Sequence, residues 1–239
     1  MAAADLFEPT WSSLLADQKV DVVLKDVIWD GHAAMGVSCP GEQAIRISGN
    51  IPPEAVGFPR VTVLAATFVR LSGLVDLHLG PSAVLLPHRP VLHEDVLNYV
   101  ELCAGMGATA FGFSKVGFHQ RCAVEWQSSL VASHQRGHPG VPTVHADICL
   151  ADTVARIYEV WPDPCTLMAG ISCQPYSRGG PGHGGDDERS ATLPATLRIM
   201  HMLQAPVLVI ECVTQAQTNA YVAEHVELLR TKLGFHVSQ

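Results

Sequence analysis

From Asn98 onward the chain repeats one unit: a short apolar run, a turn carrying glycine or an acid, then a stretch with helical periodicity. "NYVELCAG" leads into "ATAFGFSKVG", a short helix ending at Gly117; "HQRCAVEW" leads into "QSSLVASHQ", and "TVHADI" into "ADTVARIYEV". "CTLMAG" precedes a glycine-rich loop, after which Leu193, Leu197 and Met200 fall at helical spacing. Pro194 sits near the start of that helix, where a missing N–H is tolerated. "APVLVIECV" is a fifth strand; Ala220, Val222, Val226, Leu229 and Leu233 then mark an amphipathic helix stopped by Gly234. Such alternation predicts an α/β domain of Rossmann-like kind, a mostly parallel sheet with helices on both faces.

Residues 1–95 have another texture. "KVDVVLKDVIW", "RVTVLAATFVRL" and "LVDLHLG" are β-type runs, punctuated at "CPGE", "NIPPEAVGFP" and "GPSAVLLPHRP". They predict a small β-rich domain whose role the residues do not state, so the domains expected are 1–95 and 96–239. "SGNIPPEAV" reads as a loop with a proline turn.

Composition narrows the function classes. No run approaches the roughly 18 apolar residues that span a bilayer, and "MAAADLFEPTW" lacks the basic start of a secretion signal. Seven scattered cysteines without a C-x-x-C pair argue against a zinc site or a disulfide framework, so no metal is expected. The net charge of −8 is unhelpful for gripping a polyanion. If the substrate is nucleic acid, most of the electrostatic hold lies elsewhere.

In parallel sheets of this kind, ligands sit beyond the carboxyl ends of the strands. The first such end carries "CAGMGA", Cys103 to Ala108, where Gly105 and Gly107 allow a tight turn and close approach of backbone to ligand. Glu125 follows about 20 residues later, where an acid accepts from ribose hydroxyls. Trp126 offers a flat face for an adenine ring. Asp147 at the third strand end suits an adenine amino group, with Ile148 as an apolar wall. Together these residues predict an adenosine site; the glycine turn and acid alone would also suit a nicotinamide dinucleotide.

The fourth strand end decides between them, because Cys173 there has no purpose in a dehydrogenase. Most cysteines are packed and inert, and Cys103, Cys122, Cys149 and Cys165 are read so. Cys173 instead lies among Ser172, Gln174 and Pro175, before a "GGPGHGG" loop suited to a lid. Glu211 ends the fifth strand and should lie near it. Thiolate, carboxyl and adenosine cofactor at one strand edge suit methylation of cytosine carbon 5. The base must be flipped out of a duplex to reach them.

Residues from about 98 to 236 resemble the first part of a cytosine-C5 DNA methyltransferase catalytic domain. "ELCAGMGA" is similar to the family's cofactor loop D-L-F-A-G-x-G-G, "VEW" to its second motif and "ADI" to its third. "GISCQPYS" resembles G-x-P-C-Q-x-F-S, "DERSATL" the D-x-R segment after the catalytic loop, and "ECV" the E-N-V motif. The resemblance implies Cys173 as nucleophile and Glu211 as the carboxyl that contacts cytosine. It implies S-adenosyl-L-methionine as cofactor, held by Cys103, Ala104, Gly105, Met106, Gly107, Glu125, Trp126, Asp147 and Ile148. Gln174 and Ser177 become substrate-loop residues, and DNA the partner, with transfer RNA as the alternative. The chain departs from the pattern at Cys103 (for Phe), Ala108 (for Gly), Ser172 (for Pro) and Cys212 (for Asn). Family members continue with Q-x-R-x-R and a target-recognition domain, so the resemblance reads as a domain truncated before that region. A module that binds cofactor or a partner without turnover is the competing expectation. The reaction implies the nucleus in a eukaryote and the cytoplasm otherwise.

Overall fold

A computed structural model describes residues 11–39, 43–71, 74–88, 97–162, 164–177 and 184–238. The chain divides into two compact units, 1–90 and 91–239. The predicted boundary at 95 and the "GGPG" part of the expected lid lie outside the described residues.

The first unit is a barrel built from β1 (Lys19–Asp30), β2 (Ala33–Cys39), β3 (Ala44–Gly49), β4 (Val61–Leu71) and β5 (Leu74–Leu79), with β6 (Val84–Pro87) added at one side. The order is β1-β2-β3-β5-β4-β6, and β4 pairs back onto β1, closing the ring. Only β3 and β5 run parallel. Strand count and connectivity are those of a small Greek-key barrel. A register shift between Lys25 and Ile28 lets β1 serve two partners, β4 with its first half and β2 with its second. Alternation along β3 turns Ile45 and Ile47 inward, where they meet Leu24, Val63, Phe68 and Leu77 in one apolar core. The sequence left β2, β3 and β6 unassigned. Their runs are short and broken by Gly36, Pro87 and polar residues, and pairing supplies what local propensity does not. Pro53–Ala55 forms a single 3-10 turn within the loop after β3.

The second unit holds five parallel strands: β7 (Asn98–Leu102), β8 (His119–Glu125), β9 (Thr143–His145), β10 (Thr166–Gly170) and β11 (Val207–Glu211). Their order is β11-β10-β7-β8-β9. Helices α1 (Ala108–Ser114), α2 (Ser128–Gly137), α3 (Thr153–Val160), α4 (Thr192–Leu203) and α5 (Ala220–Thr231) follow the strands in turn. This is the Rossmann-like α/β sheet expected from the alternation. The reversal of strand order beside β7 opens a crevice at the carboxyl ends of β7 and β10. β7 and β10 are buried almost throughout, as central parallel strands covered on both faces must be. Leu193, Leu197 and Met200 all face the core from α4, each contributing about 1.5–3 kcal/mol by burial. β9 ends at His145, three residues short of the predicted strand, because the Asp147 carboxylate turns back to accept the Cys149 amide at 2.9 Å. Among the described residues no helix is long and apolar enough to cross a membrane.

Candidate active site

The turn after β7 is set by backbone conformation. Cys103, Gly105 and Gly107 all have positive φ, 55°, 57° and 94°. Such angles cost a side-chain-bearing residue about 1–2 kcal/mol, so two of the three positions are glycine. The glycines differ in their reasons. A Cβ on Gly105 would meet nothing within 4 Å, leaving its backbone open to a ligand. A Cβ on Gly107 would lie 2.3 Å from Nε2 of His138, whose ring covers that turn.

Glu125 ties this turn to the next strand. It is buried, and its two oxygens accept the Gly105 amide at 2.9 Å and the Gln127 amide at 2.9 Å. Each oxygen keeps a second lone pair for an incoming hydroxyl. Trp126 beside it is 66% exposed, with its ring free for stacking, while its carbonyl accepts from Nε2 of His145 at 2.8 Å.

A single cleft of about 810 Å³ runs along this strand edge. Cys103, Gly105, Glu125, Trp126, Asp147 and Ile148 line it, and so do Cys173 and Gln174. These candidate cofactor residues and Cys173 therefore share one crevice, whereas Glu211 and Ser177 are not part of its lining. Three cofactor-turn residues lie outside it. Ala104 is buried with its amide bonded to the Val124 carbonyl, Met106 is exposed at 64%, and Gly107 sits beneath His138.

Cys173 is exposed. It opens a turn in which its carbonyl accepts the amides of Tyr176 at 3.0 Å and Ser177 at 2.9 Å. Ser177 thus shapes the turn rather than lining the cleft. Glu211 ends β11 directly opposite Gly170 of β10. A Cβ built on Gly170 would sit 3.9 Å from a Glu211 carboxylate oxygen and 3.9 Å from the Cys103 carbonyl. The acid is thus on the strand next to the thiol's own, at the same end of the sheet.

Two readings need correction. Cys149 is not a packed core thiol: it is exposed and lines the cleft, because the Asp147 turn lifts it off the end of β9. Its thiol is nonetheless pushed up to about 11, first by partial burial and then by the Asp147 charge. Cys103, likewise read as packed, is only half-buried and lines the cleft; its thiol is pushed up to about 12 by burial and four neighbouring acidic groups, Glu125 first among them. Cys122 and Cys165 are buried.

Sequence reasoning missed part of the wall. Glu188, Arg189, Ala191 and Thr192 also line the cleft. Asp187 fixes that wall by accepting from the Arg189 amide at 3.0 Å and from its guanidinium at 2.8 and 2.5 Å. The D-x-R spacing was the available signal, since it places a carboxylate and a guanidinium within a two-residue fork. Glu101, also missed, is buried beneath the turn. Burial pushes its carboxyl up to about 7 against a hydrogen bond from Thr109, and the Gln120 amide donates to it at 2.6 Å.

Sheet order, glycine turn and strand-edge cleft define a Rossmann-like domain of the nucleotide-cofactor class. A family model for C-5 cytosine-specific DNA methylases matches residues 97–239, and the chain belongs to that family. It is similar to the type II methyltransferase M.NaeI of Lentzea aerocolonigenes, with 30% identity over 93 residues, 39% of this chain and 22% of the relative. A DNA-cytosine methyltransferase of Escherichia coli K12 is 30% identical over 126 residues, 46% of this chain and 26% of the relative. The chain therefore spans about a quarter of the length of these relatives. Among solved structures, a DNA modification methyltransferase from an E. coli prophage aligns with 21% identity and a TM-score of 0.46, over 57% of this chain and 38% of that one. The S. pombe Dnmt2 methyltransferase aligns with 23% identity and a TM-score of 0.41, over 56% and 41%.

Proposed function

We propose that the chain carries the cofactor and nucleophile part of an S-adenosylmethionine-dependent methyltransferase acting on carbon 5 of cytosine in DNA. The observation that carries this reading is the shared cleft: Glu125, Trp126 and Asp147 line one part of it and Cys173 another. The donor set fits the cofactor. Glu125 offers lone pairs to the ribose, Trp126 a face and Asp147 an acceptor to the adenine, and Gly105 an unobstructed backbone. Bound there, S-adenosylmethionine supplies an electrophilic methyl group.

The protein's own groups prepare the base to take it. The Cys173 thiolate adds to carbon 6 of a flipped cytosine, which raises electron density at carbon 5. The Glu211 carboxyl holds ring N3 and stabilises the charge that develops. Once carbon 5 has taken the methyl group, its proton passes to water and the Cys173 sulfur leaves carbon 6 as a thiolate, which restores the aromatic ring. Gln174 lies beside the nucleophile in the cleft wall, and the Asp187–Arg189 fork steadies another part of that wall.

The test is covalent trapping on DNA containing 5-fluorocytosine, where fluorine blocks the final elimination. A cofactor-dependent adduct is expected, and Cys173→Ser abolishes it. An adduct that survives in Cys173→Ser removes this residue from the role. Cofactor binding without any adduct points to a binding module without turnover, and an adduct on RNA alone moves the substrate class.

A further inference from the structure

Cys212 stands where the family pattern has asparagine, directly after Glu211, and the proposed chemistry does not use it. Gly170 and Glu211 are paired on neighbouring parallel strands, which lie about 4.8 Å apart, and Ile171 and Cys212 are the residues that directly follow them. Cys173 follows two residues on, at the start of the turn that folds back through Tyr176. Ile171 joins the two places: it lines the Cys173 cleft and, with Cys212, a second apolar cavity of about 430 Å³ between β11, α4 and α5. Cys173 is exposed and Cys212 half-buried. Burial holds the Cys212 thiol above its ordinary value, with Cys173 and Glu211 adding to the effect and a backbone bond at Val213 opposing it.

We infer that Cys173 and Cys212 are an oxidative pair, in which Cys173 meets a hydroperoxide and Cys212 resolves the product into a disulfide. The Cys173 thiolate attacks the peroxide O–O bond and takes one oxygen as sulfenic acid, while the other oxygen leaves as hydroxide or alkoxide. Sulfur is oxidised and peroxide reduced. The Cys212 sulfur then displaces the sulfenic hydroxyl, forming the S–S bond and releasing water. The disulfide removes the nucleophile reversibly and spares it from irreversible over-oxidation. That consequence rests on the transferase reading; the linkage itself does not.

The full chain and its variants are exposed to several equivalents of hydrogen peroxide over a time course, their free thiols are alkylated, and their peptides are analysed by mass spectrometry. The expected product links Cys173 to Cys212, is two hydrogens lighter than the reduced pair and disappears with dithiothreitol. In Cys212→Ser, and in Cys212→Asn should the serine variant fail to fold, the link is lost and Cys173 proceeds to sulfinic acid. Over-oxidation of Cys173 in the unaltered chain as fast as in the variants, or a link to Cys103 or Cys149, overturns the pair. A link formed by a protein that makes no 5-fluorocytosine adduct sinks the transferase reading alone.

Discussion

The carboxylate of Glu125 accepts the amide of Gly105 at 2.9 Å, joining the end of β8 to the turn that leaves β7. One buried acid thereby shapes the glycine turn while its remaining lone pairs face the cleft. Glu125→Gln points an NH₂ group at one of the two amides it now satisfies. Unfolding stability is expected to fall by about 1–3 kcal/mol, read by denaturant melts. S-adenosylmethionine affinity, read by calorimetry, is expected to fall with it.

The two glycines of the turn separate folding from binding. Gly107→Ala adds a Cβ 2.3 Å from His138 at φ 94°, and is expected to cost about 2–5 kcal/mol of stability. Gly105→Ala adds one into open space at φ 57° and costs only about 1–2 kcal/mol. It fills the face offered to the ligand, so cofactor affinity is lost while the fold stands. Equal melting temperatures for the two variants would contradict this division.

Trp126 is a test without a folding penalty. Its ring is largely exposed, so Trp126→Ala is expected to leave stability within about 0.5 kcal/mol. Cofactor affinity falls about three- to tenfold through lost stacking. In the unaltered protein, S-adenosylmethionine should change the Trp126 fluorescence.

Glu101 makes stability depend on pH. Burial raises its carboxyl from 4.5 to about 7, so the folded state holds its proton more tightly than the unfolded chain does. Stability from this group is full below about pH 4.5 and is lost as pH rises through 7, by roughly 3 kcal/mol. Glu101→Gln keeps a neutral side chain throughout. Its melting temperature should therefore match the unaltered protein near pH 5 and exceed it at pH 8.

The legibility of this chain follows from what each signal depends on. The parallel sheet was readable because β7 and β10 are buried on both faces and their apolar runs stop at glycine or acid turns. Cys173, Glu125 and Asp147 were readable because strand ends in such a sheet converge in space. The barrel was readable only as β-rich, since its closure depends on β4 pairing with β1 across 37 to 48 residues, which no local pattern encodes. Cys149 was misjudged because its exposure follows from one hydrogen bond to Asp147. Arg189, quoted within the D-x-R segment, was given no place in the site because no local pattern shows that this segment lines the cleft.

The central claim is that Cys173 shares its cleft with Glu125 and Asp147, the acids proposed to hold the cofactor's adenosine. Alkylation rates at individual cysteines of the intact chain, with and without saturating S-adenosylmethionine, test it most directly. Slower modification of Cys173 and Cys149 with cofactor present, and an unchanged rate at Cys39 in the barrel, is the expected result. Cofactor that binds by calorimetry yet leaves the Cys173 rate untouched would contradict it.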